Sequence, residues 1–376
     1  MIEILSYEEA ITYDELYKSM NKCKHNVIWK DSVANYVLHS VKNISSLASD
    51  LENDRYIQKQ PYIFTITSPK PREILSIRFR DRVYQRSIND NILYPIMTRN
   101  LIYDNYACQY GKGNKFARKR MVEQIRRMIN KYGTDLYVCQ IDIHGFYKNL
   151  KHSYINRLFY KKLDPTTYTR IHDILSTQYD GDTGYCPGSQ MVQIAGVCSL
   201  NSIDHYIKER LHVECYGHYM DDLLIVTNSC DHAEYCKDVI QDLLADIGLS
   251  YNRKKTEVFP ISKGINFLGF KFRVTKTGKL IQTPLPSKIK NNKRKYKRMV
   301  TRSFPNGKLS LSQIEDSYRD FRNSISEGNS YYAVQNFDAY YLSLWKGTPY
   351  AKSEIQFISS LREKAERDKR RKVESC

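Results

Sequence analysis

Hydrophobic and polar positions divide the chain into a series of predicted elements. IFTITS (63–68) alternates as a strand does, with Pro71 shortly after it. Residues 116–132 put Phe116, Met121, Ile125, Met128, Ile129 and Tyr132 on one helical face and end at Gly133. LYVCQIDI (136–143) is a short apolar strand closing on Asp142. Val192, Ala195, Ile203, Tyr206 and Ile207 predict one helix from Gln190 to about Leu211. Two apolar runs, LHVECYG and LLIVTN, flank a pair of aspartates as a hairpin would. Residues 231–247, with Tyr235, Val239, Ile240, Leu243, Leu244 and Ile247, form an amphipathic helix stopped by Gly248. TEVFPI and INFLGFKFRV follow as strands, and helical patterns return at 312–326 and 331–346. Residues 1–60 are polar and mixed and predict two short helices. From 136 to about 259 the order is strand, helix, strand, strand, helix, strand. That is the split β-α-β arrangement, an antiparallel sheet backed by helices, shared by RNA-binding modules and polymerase palms.

Charge narrows the choice. The chain has 376 residues, enough for two or three cored domains, and carries 59 Lys and Arg against 41 Asp and Glu, a net +18. That excess favours a polyanion partner. KIKNNKRKYKR (288–298) and REKAERDKRRK (362–372) concentrate it near the C-terminus. Nine scattered cysteines without a C-x-x-C pair read as a reducing cytoplasm. Cys215, His218, Cys230, His232 and Cys236 have donor types that suit zinc, but they flank a strand pair and the spacing argues against it. No apolar stretch is long enough for a membrane span, and MIEILSYEEAITYDE lacks a basic signal region, so no membrane partner is expected.

The candidate chemistry lies in YGHYMDDLLIV (216–226). Adjacent carboxylates repel and resist burial, yet Asp221 and Asp222 interrupt a run that otherwise reads as buried strand. In a split sheet their hairpin lies beside the strand ending at Asp142, so three carboxylates converge on one edge. Two Mg2+ ions would stabilise them and suit in-line phosphoryl transfer, one activating a primer 3′-hydroxyl and the other holding the triphosphate; Mn2+ is a substitute ion. The plain alternative is a hairpin turn, a common use of Asp-Asp.

The full string Tyr219-Met220-Asp221-Asp222 between apolar runs resembles the catalytic box of reverse transcriptases. IDIHGFYKNL (141–150) is similar to the family's first catalytic motif. The resemblance implies Asp142 as a metal ligand, the Ile143 carbonyl as another, and Tyr147 as the ring under the sugar that excludes a 2′-hydroxyl; Phe146 reads better as core. KPREILSIRFRDRVYQ (70–85) resembles the first fingers motif, with Arg72 on the incoming triphosphate and Arg78, Arg80 and Arg82 as further phosphate or template contacts. Gly111-Lys112-Gly113 resembles a phosphate-cradling loop. NRKKTEVFPISKGINFLGF (252–270) is similar to two later motifs, implying Lys255 beside the leaving phosphate and Phe267-Leu268-Gly269-Phe270 as the hairpin that grips the primer.

PGSQMVQIAGVCSLNSID (187–204) points within the family. Gly188, Gln190, Gln193, Asn201 and Asp204 resemble the pattern of diversity-generating retroelement enzymes, with Val192 a departure. Pro187 stands where processive members have a glutamine over the new base pair. ISEGNSYY (325–332) resembles the thumb of the same group. The implied fold is α+β, a right hand: an N-terminal helical extension (1–60), fingers (61–135), palm with the remaining fingers segment (136–282) and a basic helical thumb and tail (283–376). The implied activity is RNA-directed DNA synthesis for a diversity-generating retroelement in a bacterial or phage-infected cytoplasm. The partners would be an RNA template, a DNA or RNA primer, dNTPs and a small basic accessory variability protein. A reverse transcriptase of a phage-defence system is the second reading, and a non-catalytic RNA-binding protein with the polymerase fold is the third.

Overall fold

The computed structural model describes residues 3–67 and 71–374. The end of the strand expected over 63–68, Lys70 of the fingers motif and Cys376 lie outside the described residues. The chain forms two compact units, Met1–Lys131 with Leu136–Phe259 and Tyr132–Asp135 with Pro260–Cys376.

The first unit opens with four helices, α1 (Tyr7–Ala10), α2 (Tyr13–Cys23), α3 (Asp31–Leu38) and α4 (Ser40–Glu52), where two were expected. Ser6 and Glu9 cap α1 reciprocally. Leu16, Met20, Ile44, Leu47 and Leu51 are buried and share a core with Val83, Tyr84 and Ile88 of α5 (Phe79–Ile88), so their apolar stripes are completed by a later segment. Between them, β1 (Tyr62–Ile66) and β2 (Arg72–Ser76) form an antiparallel ribbon. A π-helical turn, Asn89–Leu93, joins α5 to α6 (Tyr94–Thr98). Helix α7 (Asn114–Tyr132) follows and buries Met121, Ile125 and Met128 as its periodicity requires.

The central sheet comprises β3 (Tyr137–Asp142), β4 (Cys215–Tyr219), β5 (Asp222–Thr227) and β6 (Glu257–Pro260) in the order β4-β5-β3-β6, the split β-α-β topology read from the sequence. Between β3 and β4 run α8 (Phe146–Asn149), α9 (His152–Tyr160), α10 (Pro165–Gln178), α11 (Gln190–Ser199) and α12 (Asn201–Glu209). The single helix expected from Gln190 to Leu211 is therefore two. The Tyr154 hydroxyl donates to the Ser199 carbonyl at 2.8 Å, and Leu200 leaves helical geometry at φ −98°, ψ 4°. Helix α13 (Cys230–Asp246), capped by Ser229, buries Ala233, Cys236, Ile240 and Leu244. Its face is rotated from the expected one, leaving Tyr235 exposed.

The second unit has a three-stranded sheet, β7 (Ile265–Phe267), β8 (Phe270–Val274) and β9 (Leu280–Pro284), then α14 (Pro286–Arg298), α15 (Leu311–Ile325), α16 (Tyr331–Trp345) and α17 (Ala351–Glu374). The basic run 288–298 lies on α14. The core here is aromatic, with Tyr296, Tyr318, Phe321, Phe337, Tyr341 and Trp345. Asp338 is buried within it and accepts from Tyr318 Oη (2.7 Å), Arg322 Nε (3.0 Å) and Arg362 Nε (3.0 Å), so its charge is fully paired.

Candidate active site

Strands β3 and β5 pair antiparallel with Asp142 opposite Asp222, a register that sets their Cα atoms roughly 4.5–5.5 Å apart. Tyr219 faces Asp222 across the β4–β5 hairpin, leaving Met220 and Asp221 as its two-residue turn. The Asp221 carbonyl accepts from the Ile143 amide at 2.9 Å. The structure thus brings together Asp142, Asp221 and Asp222 with the Ile143 backbone between the two chain segments. Met220 has φ +57°, a left-handed conformation in which glycine is the usual residue. A side chain there costs about 1–2 kcal/mol.

A buried polar network holds that strained turn. His218 is fully buried on β4, and its Nε2–H donates to the Met220 carbonyl at 2.7 Å. Its Nδ1 lies 2.9 Å from Oδ2 of Asp204, itself fully buried. The Asp204 carboxylate and the Met220 carbonyl are both acceptors and favour the protonated ring, while the Asn105 amide nitrogen also approaches Nδ1 at 3.1 Å. Burial pushes its pKa down, but the Asp204 carboxylate and the Met220 carbonyl outweigh this and raise it. Tyr216 Oη (2.5 Å) and Asn105 Nδ2 (3.2 Å) also donate to Asp204. A hydrogen bond from a charged donor contributes about 1.5–3 kcal/mol, enough to offset the strain at Met220. Sequence reading had weighed His218 only as a zinc ligand and Asp204 only as a motif position. Charged residues at buried sites, in a helix and a strand otherwise apolar on those faces, were the one signal.

The charge balance favours a cation. Burial, then Asp221 and Asp142, raise Asp222 to about 6 despite Lys255 and His218. Lys255 Nζ lies 2.5 Å from Asp142 Oδ1, and that contact raises its pKa in turn. Among the described residues no group of three His, Cys, Asp or Glu side chains is arranged to hold a metal ion. The ammonium of Lys255 is instead the positive charge on the carboxylate edge. Hard oxygen donors under mutual repulsion, with one lysine drawn in, leave this edge favourable to added positive charge.

Other expected residues surround this edge or lie elsewhere. Tyr147 is on α8, and its hydroxyl donates to the Met220 sulfur at 3.6 Å. Its ring fits because Gly196 of α11 has no side chain: a Cβ there would stand 3.0 Å from Tyr147 Cε1. Sequence reading did not single out Gly196. Arg72 is exposed at the start of β2. Gly188, at φ +152°, backs onto that strand so closely that a Cβ would meet the Leu75 carbonyl oxygen at 2.1 Å. Pro187 immediately precedes it. Arg80 is committed to Asp50 (2.6 Å) and lies over the Tyr56 ring. Lys112, expected in a phosphate cradle, donates to the Tyr103 (2.9 Å) and Asn105 (2.8 Å) carbonyls. Phe267-Leu268-Gly269-Phe270 forms the β7–β8 turn of the second unit, with Leu268 at φ +47° and Gly269 at +81°.

A family model described as reverse transcriptase (RNA-dependent DNA polymerase) matches residues 57–272, more than half of the chain. The chain belongs to the reverse transcriptase family. It is accordingly an RNA-directed DNA polymerase with the mixed α+β polymerase fold, and such enzymes act with divalent metals on RNA templates and primers. All three aspartates, Arg72, Tyr147, Lys255 and residues 267–270 fall inside the matched span. Among solved structures, a telomerase from Candida albicans in complex with a TWJ fragment of telomeric RNA superposes with TM-score 0.47 and 12% identity, over 88% of this chain and 68% of that one. An apo telomerase from Candida tropicalis, truncated from its C-terminal domain, gives TM-score 0.45 and 13% identity over 64% and 60%. No curated protein matches the reverse transcriptase chain. No described helix is long and apolar enough to cross a membrane.

Proposed function

We propose that Asp142, Asp221 and Asp222 are the catalytic carboxylates of a reverse transcriptase that copies an RNA template for a diversity-generating retroelement. The observation that supports the catalytic assignment is the β3–β5 register, which sets Asp142 against Asp222 beside the Asp221 turn. The three carboxylates and the Ile143 carbonyl would hold two Mg2+ ions, which supply the positive charge that makes a primer 3′-hydroxyl nucleophilic and offsets the triphosphate. Arg72 and Arg80 supply cationic groups for the triphosphate, Arg80 after leaving Asp50. Lys255 stays protonated beside Asp142 and can give its proton to the leaving pyrophosphate. Pro187 offers no backbone N–H beside the nascent pair, and Gly188 seats the strand that carries Arg72. Residues 61–135 serve as fingers, 136–282 as palm with the grip at Phe267, Leu268, Gly269 and Phe270, and 283–376 as thumb.

The pattern Gly188, Gln190, Gln193, Asn201 and Asp204 supports the retroelement role, in which a small basic accessory protein would take part. Purified enzyme should make cDNA from its own element's RNA, with errors concentrated opposite adenine. Repetitive or untemplated DNA made during phage infection would instead favour a defence role.

Tyr147→Ala should admit ribonucleotides, lowering discrimination by about 10–100-fold, since removing one packing group changes selection by about 1–3 kcal/mol. Incorporation ratios of dNTP to rNTP measure this, and an unchanged ratio rejects Tyr147 as the sugar gate.

Asp222 yields a pH prediction. Its folded pKa, about 6, lies above that of an unfolded aspartate, so the folded state binds the extra proton. The stabilising contribution of Asp222 is full below about pH 4, falls as pH rises towards 6, and is lost above it, a change of about 2–3 kcal/mol from this one group. Mg2+ should restore this loss. The rise in Tm on adding Mg2+ should therefore be larger at pH 7.5 than at pH 5, and equal rises would contradict the assignment.

A further inference from the structure

A cavity of about 460 Å3 lies on the first unit, between the first turn of α9, the C-terminal end of α10 and the loop 179–185. That volume falls within the usual range of small-molecule sites, about 300–1,000 Å3. None of the residues placed at the catalytic edge lines it. The chain as a whole carries +18, yet this lining includes Asp180 and Asp182 and no Lys or Arg. Both aspartates are exposed, and among the described residues neither forms an ion pair. The end of α10 adds partial negative charge, and no basic residue in its last turn offsets it. The first turn of α9 brings the opposite partial charge, but its His152 amide is already bound to the Asp182 carbonyl at 2.9 Å. The electrostatics of this hollow therefore favour a cation on a protein that is otherwise basic.

Its walls decide which kind. Tyr185 packs against the His152 ring with centroids 4.6 Å apart and edge-on against Tyr179 at 4.9 Å, and Leu175 completes an apolar side. The Tyr179 hydroxyl is spent on the Cys186 carbonyl at 3.1 Å. Tyr185 differs. It is only 4% exposed, and among the described residues its hydroxyl has no hydrogen-bond partner, yet that oxygen is not sealed from solvent as the side-chain amide of Gln178 is. A phenol in that state can accept a hydrogen bond as well as donate one. The backbone of Tyr185 is held in place, since its amide donates to the Tyr147 carbonyl at 2.8 Å and that of Gly184 to the Leu150 carbonyl at 2.9 Å. A bare metal ion would leave these rings and most of the volume uncontacted. An organic cation uses all of it, because aromatic faces attract ammonium and guanidinium groups and also cover a carbon chain. We propose that the cavity binds a small organic dication of the diamine or guanidinium–amine class. Its charges sit on Asp180 and Asp182, its carbon chain lies along Tyr179, Tyr185 and Leu175, and one N–H donates to the Tyr185 hydroxyl.

The test is calorimetric titration of the full-length chain, free of nucleic acid, with putrescine and agmatine, with butanediol as the uncharged comparator. Both dications should bind and butanediol should not. Asp180→Asn/Asp182→Asn alters two exposed side chains, should leave the Tm unchanged, and should weaken binding about tenfold, as expected for two solvent-exposed ion pairs. Tyr185→Phe keeps the ring and removes the hydroxyl, and should weaken binding about threefold. Asp221→Asn should leave the affinity unchanged, which separates this site from the catalytic edge. The proposal is overturned if the unmodified chain binds neither dication at millimolar concentration, or if butanediol binds equally well. It is also overturned if both cavity variants keep full affinity, if Asp221→Asn abolishes binding, or if stoichiometric Mg2+ displaces the dications.

Discussion

Replacing Asp221 by asparagine is expected to reduce primer extension by about a thousandfold while leaving the folded protein intact or firmer. The two effects have opposite signs for one reason. Asp221 sits at the hairpin turn, part-exposed, and its carboxylate raises the pKa of Asp222 by repulsion. A neutral amide removes that repulsion, so the metal-free protein should gain stability and Asp222 should ionise at lower pH. The same amide cannot balance divalent charge, and losing several kcal/mol of transition-state stabilisation is about three powers of ten in rate. Single-turnover extension with Mg2+ and a thermal melt without it measure the two halves. Retained extension at ordinary Mg2+ concentrations would remove Asp221 from the catalytic set.

The second large effect is expected at His218, which is buried and acts through the Met220 carbonyl as a positioning residue. His218→Gln leaves the buried Asp204 without its imidazole partner, and breaking a buried pair of this kind costs about 3–5 kcal/mol when the ring is protonated. The Tm should fall steeply. Adding Asp204→Asn makes the pair neutral and should recover much of that stability. It should not recover the clamp on the Met220 carbonyl at full strength, because a neutral amide donor is weaker than an imidazolium. The double variant should therefore be folded yet need several-fold more Mg2+ for half-maximal extension, with its KM for dNTP little changed. A purely structural role would return the Mg2+ requirement to normal once stability returns, and that result would dismiss the clamp.

The parts of this molecule legible in its sequence are those governed by neighbours along the chain. Strands β3, β4 and β5 stood out because each is an apolar run bounded by polar residues, and the aspartates stood out because they break that pattern. Helix α7 was readable from its period, and the family resemblance rested on contiguous strings. The misreadings have non-local causes. The break between α11 and α12 depends on the Tyr154 hydroxyl taking the Ser199 carbonyl from 45 residues away. The N-terminal helices pack on one another as well as on α5, and α1 is only four residues long, too short to show a period, so their number and bounds are set by tertiary contact. Helix α10 carries a legible sign, Asp164 before Pro165, and the Asp164 side chain does accept from the Thr167 amide at 2.9 Å. The Asp204–His218 pair joins a helix to a strand, and nothing in the spacing announces it.

The seam at Gly188 bears on how the protein can move. Backbone meets backbone there with no room for even a methyl group, so β2 and the start of α11 have no slack between them. Movement of β2 towards residue 188 by more than a few tenths of an ångström must push residue 188, and with it the start of the helix whose Gly196 makes room for Tyr147. Pressure on β2 from the Arg72 end would thus pass to the helix behind the ring proposed to test the sugar, coupling the proposed triphosphate contact to the proposed sugar gate.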